Sequence, residues 1–189
     1  MKNEYSVMPI TKSMCEPLLR EYHYLAKESK GFKSGVNIGL FHREKIVGCC
    51  IFTGFPVPEL AVGLFGLNRN EQEGLLELSR LVLLPQNQNS EHNLASWFIA
   101  KAIKLMRSHV KCRAILSYAD TRFHAGTVYR AANFKYYGLT AAKKDWYVNG
   151  VKSSRGKSGN GQWLPRPQKH RFLMVFDKKL QVRWSECHV

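Results

Sequence analysis

The stretch from Leu75 to Gly138 constrains the fold more than any other part of this chain. It contains, in order, LLELSRLVLLP, QNQNSEHNLASWFIAKAIKLM, RAILSYAD and TRFHAGTVYRAANFKYYG. From Leu75 to Leu84 apolar side chains fill nearly every position and Pro85 ends the run, the pattern of a strand buried on both faces. Gln86 to Asn93 is polar and predicts a loop in which Asn89 or Ser90 caps the next helix. Leu94, Trp97, Phe98, Ala102, Leu105 and Met106 recur at helical spacing and form one apolar stripe. Ala114 to Ala119 is again strand-like and ends at Asp120. A short helix through Gly126 to Ala132 then leads by Asn133 into Phe134, Tyr136 and Tyr137.

A strand that feeds a helix N-terminus is a ready anion site, because unpaired N–H groups and the helix dipole point at it. Small residues Ala95 and Ser96 in the first turns let a pyrophosphate approach the backbone. This arrangement resembles the acyl-CoA core of the GCN5-related N-acetyltransferase (GNAT) superfamily. There a fourth strand, pyrophosphate loop and helix hold CoA, and a fifth strand splays away to admit the pantetheine arm. The resemblance implies an α+β fold: a central mixed, mostly antiparallel sheet flanked by helices, here with a basic C-terminal hairpin and loop. It implies acetyl-CoA binding by Leu83, Leu84, Asn89, Ser90, Asn93, Ser96 and Asn133. The segment HAGTVYRAANFKYYG is similar to the superfamily's closing element, in which a tyrosine, here Tyr129, protonates the CoA thiolate. The usual loop is rich in Arg and Gly and this one is QNQNSEHN, so shape carries the expectation of CoA.

With 189 residues the chain reads as one domain over 1–189, long enough to bury a core. No apolar run approaches the ~20 residues of a membrane span, and MKNEYSVMPI lacks a signal-peptide core, so a cytoplasmic protein without a membrane partner is expected. Five cysteines, Cys15, Cys49, Cys50, Cys112 and Cys187, form no CxxC or Cys/His zinc spacing and read as reduced, packed thiols. Charge is the informative bulk property. Lys and Arg number 29 against 14 Asp and Glu, a formal +15, and residues 139–189 alone carry eleven basic and three acidic side chains. Such a surplus favours a polyanion through counterion release.

The flanks complete the pattern. Glu4 to Ile10 predicts a strand, and Thr11 to Tyr24 a helix capped by Thr11 or Ser13. Lys27 to Gly35 reads as a charged loop, and Asn37–His42 and Lys45–Phe52 as a hairpin. Thr53 to Gly74, with Pro56 and Pro58, reads as a long connection of the kind that carries function or packs as a lid. Asn149-Gly150 between strand formers marks a second hairpin. Residues 152–171 form a basic loop with six cations and no acid, and Lys169 to Phe176 is a last strand.

Several constellations carry chemistry if the fold brings them together. Tyr22-His23-Tyr24 ends the first helix, and Ser117, Asp120 and His124 come from the C-terminal end of the fifth strand of the core. Asp120 and His124 are spaced i and i+4, as on one helical face. With His23 they make two imidazoles and a carboxylate, a set suited to ferrous iron or to an oriented general base. The alternative for Asp120 is to cap the helix that follows, and for Tyr129 it is core packing. Trp163 suits base stacking or serves as a loop anchor. Lys152, Arg155, Lys157, Arg166 and Lys169 suit phosphate contacts.

Taken together, EYHYL, ELSRLVLLP, NLASWFIAKAIK, SYADTRFHAGTVYRAANFKYYG, DWYVNG and KHRFLMVF resemble the phage Mom family across about residues 20 to 176. That family consists of DNA-modifying variants of the acetyltransferase superfamily. The resemblance implies conversion of adenine in double-stranded DNA to its N6-carbamoylmethyl (acetamido) form, with acetyl-CoA as donor, protecting phage DNA from restriction in the host cytoplasm. Iron is associated with the family. By position, the resemblance implies catalytic roles for His23, Tyr24, Ser117, Asp120 and Tyr129, and candidate iron ligands among His23, Tyr24, Asp120, His124 and Tyr129. A flipped adenine would sit against Tyr22 or Tyr24. Two other functions fit the pattern: an ordinary N-acetyltransferase acting on a protein or small amine, and a non-catalytic DNA-binding protein on the same fold. A dimer would help a small protein span DNA, but no coiled-coil or interface pattern marks one.

Overall fold

The computed structural model describes residues 4–24, 32–153, 157 and 159–188. Most of the expected loop from Lys27 to Gly35, and Arg155 of the basic segment, lie outside the described residues.

The chain opens with β1 (Tyr5–Pro9) and α1 (Lys12–Tyr22), whose N-terminus is capped by Thr11: its Oγ1 accepts the Met14 N–H at 3.4 Å. The hairpin of β2 (Val36–His42) and β3 (Lys45–Gly54) follows, with Arg43 in the left-handed turn. Next come α2 (Pro58–Phe65), β4 (Leu75–Leu83), α3 (Pro85–Ser90) and α4 (Leu94–His109). Then β5 (Ala114–Asp120), α5 (Thr127–Ala131) and β6 (Lys135–Leu139) complete the central region. β7 (Lys143–Val148), β8 (Val151–Lys152), β9 (Gln162–Arg166) and β10 (Lys169–Val175) finish the regular structure.

Seven strands form one sheet in the order β1-β2-β3-β4-β5-β10-β6, and β8-β7-β9 form a second, small one. In the large sheet β4 and β5 pair in parallel and every other described pair is antiparallel.

Alternation along the strands divides the core. Cys50 and Phe52 of β3 face α4, where they meet fully buried Phe98, Ile99, Ala102 and Met106. Cys49 and Ile51 face the other way, onto Cys15, Leu18 and Leu19 of α1. This is the period-2 consequence of the pleat. Each fully buried large apolar side chain contributes about 1.5–3 kcal/mol relative to exposure, so α4 is held chiefly by its stripe. On the face away from α4, α2 packs Ala61, Leu64 and Phe65 against Leu75, Ala114, Leu116 and Leu173. The segment after β10 crosses this face with Leu180, Val182 and Trp184, and backbone hydrogen bonds pin it: Arg183 N–H to Leu64 O at 2.8 Å, and Cys187 N–H to Tyr136 O at 2.9 Å.

Four expectations are corrected. Thr53 to Gly74 is not an irregular lid: Pro58 at the first position starts α2 and Gly66, at φ 74°, ends it. Those are the ordinary uses of the two residues that read as breakers. The polar stretch after β4 is not all loop, since Pro85 starts α3 as it ends the strand. Neither Asn89 nor Ser90 caps the long helix; both lie in α3, and Asn93 precedes α4 in the left-handed conformation without a side-chain cap. β4 buries residues on both faces, Leu78 and Leu83 toward α4 and Leu75 and Val82 on the other, but it is only partly buried at Leu76, Glu77 and from Ser79 to Leu81, so the expected cover is incomplete around the bulge.

Gly126 carries a sharp constraint. It opens α5 at φ 73°, and a Cβ there would meet the ring of fully buried Phe172. Gly126→Ala therefore combines left-handed strain with overpacking, each about 1–3 kcal/mol. The expected result is a loss of more than about 2 kcal/mol in urea unfolding.

Candidate functional site

The site begins where two parallel strands part. β4 and β5 are in register from Leu75↔Ala114 to Leu78↔Ser117 and unpaired beyond. A bulge in β4 falls at the same place, since Ile51 pairs Arg80 and Phe52 pairs Leu78, leaving Ser79 as the extra residue. Bulges bend a strand and re-aim its side chains. Here Ser79 Oγ donates to Ile51 O at 3.1 Å. Meanwhile β5 turns away to pair with β10, as far as Asp120↔Lys169.

The opening leads into a cavity of about 350 Å³ lined by Ser79, Leu81 and Leu83 of β4, Tyr118 of β5, and His23, Tyr24, His124 and Tyr129. A second cavity of about 430 Å³ runs from Gln88 to Ser96 and meets α5 at Thr127, Val128 and Ala131. The two share Gln88, Ala95, Thr127 and Val128, so they form one groove past the α4 N-terminus. Asn93 makes no side-chain cap and the Leu94 N–H bonds Glu91 O at 3.2 Å, so the Ala95 and Ser96 N–H groups are those that the start of α4 presents to an anion in that groove.

The aromatic wall is continuous. His23 stacks on Tyr24 with ring centroids 4.6 Å apart, Tyr24 packs on Phe123 at 4.6 Å, and His124 meets Tyr24 edge-on at 6.2 Å. The His23 N–H closes α1 on Leu19 O at 3.1 Å, which fixes where the ring enters. Burial, with Arg80, His124 and Lys169 nearby, pulls the His23 imidazole down to about 4. Burial also lowers His124, against the charge of Asp120. Both rings are therefore neutral proton acceptors near pH 7. Burial pushes the Tyr129 phenol well up, and Ser117 lies within hydrogen-bonding reach of it. Tyr118 is raised to about 12 by burial and by Glu77. The groove thus pairs neutral imidazoles with phenols that keep their protons.

The other expected site residues are placed as follows. Asp120 is 2% exposed and does not line the cavity. Its Oδ1 accepts the Arg122 N–H at 3.0 Å, and its carboxylate holds the Arg122 guanidinium at 2.9 Å. Burial raises its carboxyl, but these bonds outweigh burial and leave it below its ordinary range. The following helix starts only at Thr127, so Asp120 neither caps it nor shares a helical face with His124. Instead it closes a turn whose backbone bond, His124 N–H to Asp120 O at 3.2 Å, sets that ring. Ser117 is fully buried and donates to Leu78 O at 3.0 Å, locking the last rung before the strands part. Leu83, Asn89, Ser90, Asn93 and Ser96 line the groove. Leu84 and Asn133 do not: Leu84 binds Val47 O through its N–H, and Asn133 makes the left-handed turn after α5. Tyr22 is half-exposed at the end of α1, away from the cavity lining.

The expected iron set does not fit. Among the described residues no three His, Cys, Asp or Glu side chains close on one point, and the carboxylate of the set is committed to Arg122.

The basic extension is more internally paired than its sequence suggests. Asp145, 7% exposed, takes Lys152 at 2.7 Å and the Arg166 guanidinium, and its carboxyl is lowered to about 2, first by the hydrogen bonds from Arg166. Trp163 is half-exposed and packs edge-on against Trp146 at 5.3 Å, with Lys157 over the Trp146 ring at 5.6 Å. Lys169 pairs with Asp120 at the end of β5, where its charge acts on His23, Asp120 and Glu77.

A profile of the Mom protein family matches residues 4–162. The chain belongs to the Mom protein family. A search of curated protein sequences finds no match. Among solved structures, a GNAT-family acetyltransferase from Streptococcus pneumoniae is similar at TM-score 0.55 and 12% identity, over 91% of this chain and 99% of its own. An acetyltransferase from Bacillus subtilis in complex with CoA is similar at 0.52 and 9%, over 92% and 98%. A GNAT-family acetyltransferase from Elizabethkingia anophelis with acetyl-CoA bound is similar at 0.53 and 13%, over 93% and 100%. This Mom-family chain therefore has the acetyltransferase fold expected from its sequence.

Sequence reasoning missed the polar residues of β4. Glu77, Ser79 and Arg80 interrupt an otherwise apolar run, and that interruption was the available signal.

The His23 environment gives a stability prediction. Its folded value of about 4 lies below the ~6.5 of an unfolded histidine. Between those values the unfolded chain binds a proton that the folded chain does not, so stability falls as pH drops from 6.5 to 4 and this contribution is level below that. The span is at most about 3 kcal/mol. Urea titrations of wild type and His23→Gln across this window should show the variant losing that part of the slope.

Proposed function

We propose that this protein modifies adenine in double-stranded DNA, using acetyl-CoA to place a carbamoylmethyl group on the exocyclic amine and so protecting phage DNA from restriction. The observation that carries this reading is membership in the Mom protein family over residues 4–162.

The groove supports it. Acetyl-CoA, when bound, supplies a two-carbon unit activated as a thioester. Leu83, Asn93, Ala95 and Ser96 suit its pantetheine and pyrophosphate, because they combine a parted strand with uncapped helix N–H groups. Tyr129 keeps its proton and suits the role of acid toward a departing thiolate. Neutral His23 suits the role of acceptor for a proton from the amine. Asp120 and Arg122 hold the turn that presents Phe123 and His124. An adenine amine is out of reach of such an enclosed site while stacked, so the base must flip, and Tyr24 and Phe123 offer it an aromatic wall.

The net +15 supports a polyanionic partner. In the small sheet, Trp163 and exposed Lys143 and Lys144, with Lys157 of the β8–β9 connection, suit contact with a nucleic-acid backbone. Lys152 and Arg166 spend part of their charge on Asp145. The product contains an amide nitrogen that neither the acetyl group nor adenine supplies, and its new bond from adenine N6 to the former methyl carbon replaces a C–H bond. A nitrogen donor, whose attack on the thioester releases the CoA thiolate, and a two-electron oxidant, which takes up the hydrogen lost from the methyl carbon, are therefore further substrates.

The shared fold also supports simple acetyl transfer to an amine, and one experiment separates the two. Nucleosides from DNA of a host expressing wild type should contain deoxyadenosine heavier by the carbamoylmethyl group. Tyr129→Phe should lower its yield at least ~10-fold, and Asp120→Ala should abolish it. Unmodified DNA from well-expressed wild type, with acetyl-CoA turnover on small amines, would favour the simpler transferase.

A further inference from the structure

The strand that opens the cleft carries a carboxylate with no described partner. Glu77 lies one rung before the parting, across from Thr53 of β3 and Leu116 of β5. Alternation puts it on the sheet face of Leu75 and Leu116, away from α4 and on the side from which α1 delivers His23. Tyr118 of β5, Arg80 of β4 and Lys169 of β10 lie within Coulombic reach of it. Glu77 is partly buried, and no hydrogen bond or ion pair to its carboxylate is found among the described residues. Arg80, the nearest cation in sequence, spends an N–H on Ser79 O at 2.7 Å.

A desolvated carboxylate without a hydrogen-bond donor is costly. A ligand that brings an N–H removes that cost, and one that brings a carbonyl oxygen adds repulsion. Glu77 is not itself among the residues lining the cavity, but the cavity reaches this face of the sheet through His23, Tyr24 and Tyr118, which lies two residues along β5 from Leu116, the rung partner of Glu77. The α4 groove enters from the other side through Ala95 and Val128. An acyl donor in the α4 groove and an acceptor against α1 would meet at the gap between the strands.

We propose that Glu77 selects the acceptor: its carboxylate accepts a hydrogen bond from the exocyclic amino group of the flipped base and rejects bases with a carbonyl at that position. This rests on the adenine-modifying function proposed above. Sites built to bond one polar group discriminate strongly against its replacement, because their own buried group is left unpaired. Lys169, rung partner of Asp120, acts on Glu77 and Asp120 with a charge suited to the nucleotide's phosphate.

The test compares full-length wild type, Glu77→Gln and Glu77→Ala. Binding is read by fluorescence anisotropy at fixed salt, on thymine oligodeoxynucleotides holding one adenine or one hypoxanthine. Wild type should prefer adenine by about 10-fold or more. Glu77→Gln, whose amide can turn to accept from an amine or donate to a carbonyl, should bind both within about threefold. Glu77→Ala should do the same with weaker binding, and acetyl-CoA affinity should be unchanged in both variants. A Gln variant that keeps the wild-type preference overturns the assignment. So does a wild type that binds both oligonucleotides alike, whatever the variants do. Nucleoside mass spectrometry on the same proteins separates the two levels. Modified adenine with undiminished preference in Glu77→Gln removes only the role of Glu77, whereas no modified adenine from wild type removes the parent function.

Discussion

Everything in the site follows from one missing ladder. Past Leu78 and Ser117, β4 and β5 stop bonding to each other, and two strand segments in the middle of a sheet would ordinarily leave unsatisfied backbone groups. The fold answers on both sides. β10 takes up β5 through Asp120, β3 keeps β4 through a bulge, and Ser117 and Ser79 add side-chain hydrogen bonds to Leu78 O and Ile51 O at the fork. The gap is thus a stable element of the sheet. Its two faces are approached by different parts of the chain, α4 and α5 on one and α1 on the other. A two-substrate groove needs that separation.

The electrostatics of the groove depend on the same geometry. Charged groups cluster at the outer end, where Lys169, Asp120, Arg122 and Arg80 partly balance one another. Deeper, burial governs, holding imidazoles neutral and phenols protonated. Proton transfer then has acceptors and donors without a net charge to desolvate. The small sheet follows a different rule. Its cations gather around one buried carboxylate, so Asp145 organises the strands and tempers the field they project.

Much of this was legible in the sequence because periodicity and punctuation report burial and turns directly. The α4 stripe, the β2–β3 hairpin, the Asn149-Gly150 turn and the short helix before Asn133 each depend on local residues. α2 was not legible, because Leu60, Ala61, Leu64 and Phe65 pack on a surface assembled from β4, β5, β10 and the segment after it, which only the folded sheet brings together. α3 was hidden for the opposite reason. It has almost no apolar stripe, and only Asn87 is buried, through a bond to the Tyr5 hydroxyl 82 residues away. Within the site, the identities of His23, Tyr24 and Tyr129 could be read, but the withdrawal of Asp120 behind Arg122 could not. Spacing of i and i+4 does not distinguish a helix from a tight turn, and the course of the guanidinium is decided by the folded turn.

The position of β10 has a consequence for synthesis. β10 lies between β5 and β6 although it is made after both, and it is the partner through which β6 joins the large sheet. Until residues beyond 168 leave the ribosome, the nascent chain carries a bare strand edge at β5 and an undocked aromatic strand at β6. Such edges template pairing with other chains. Vectorial folding therefore cannot proceed to a finished sheet from the N-terminus, and the wall of the groove formed by β5 is set late. A strand made after both of its neighbours serves as the keystone, which ties assembly of the cleft to the emergence of residues 169–175.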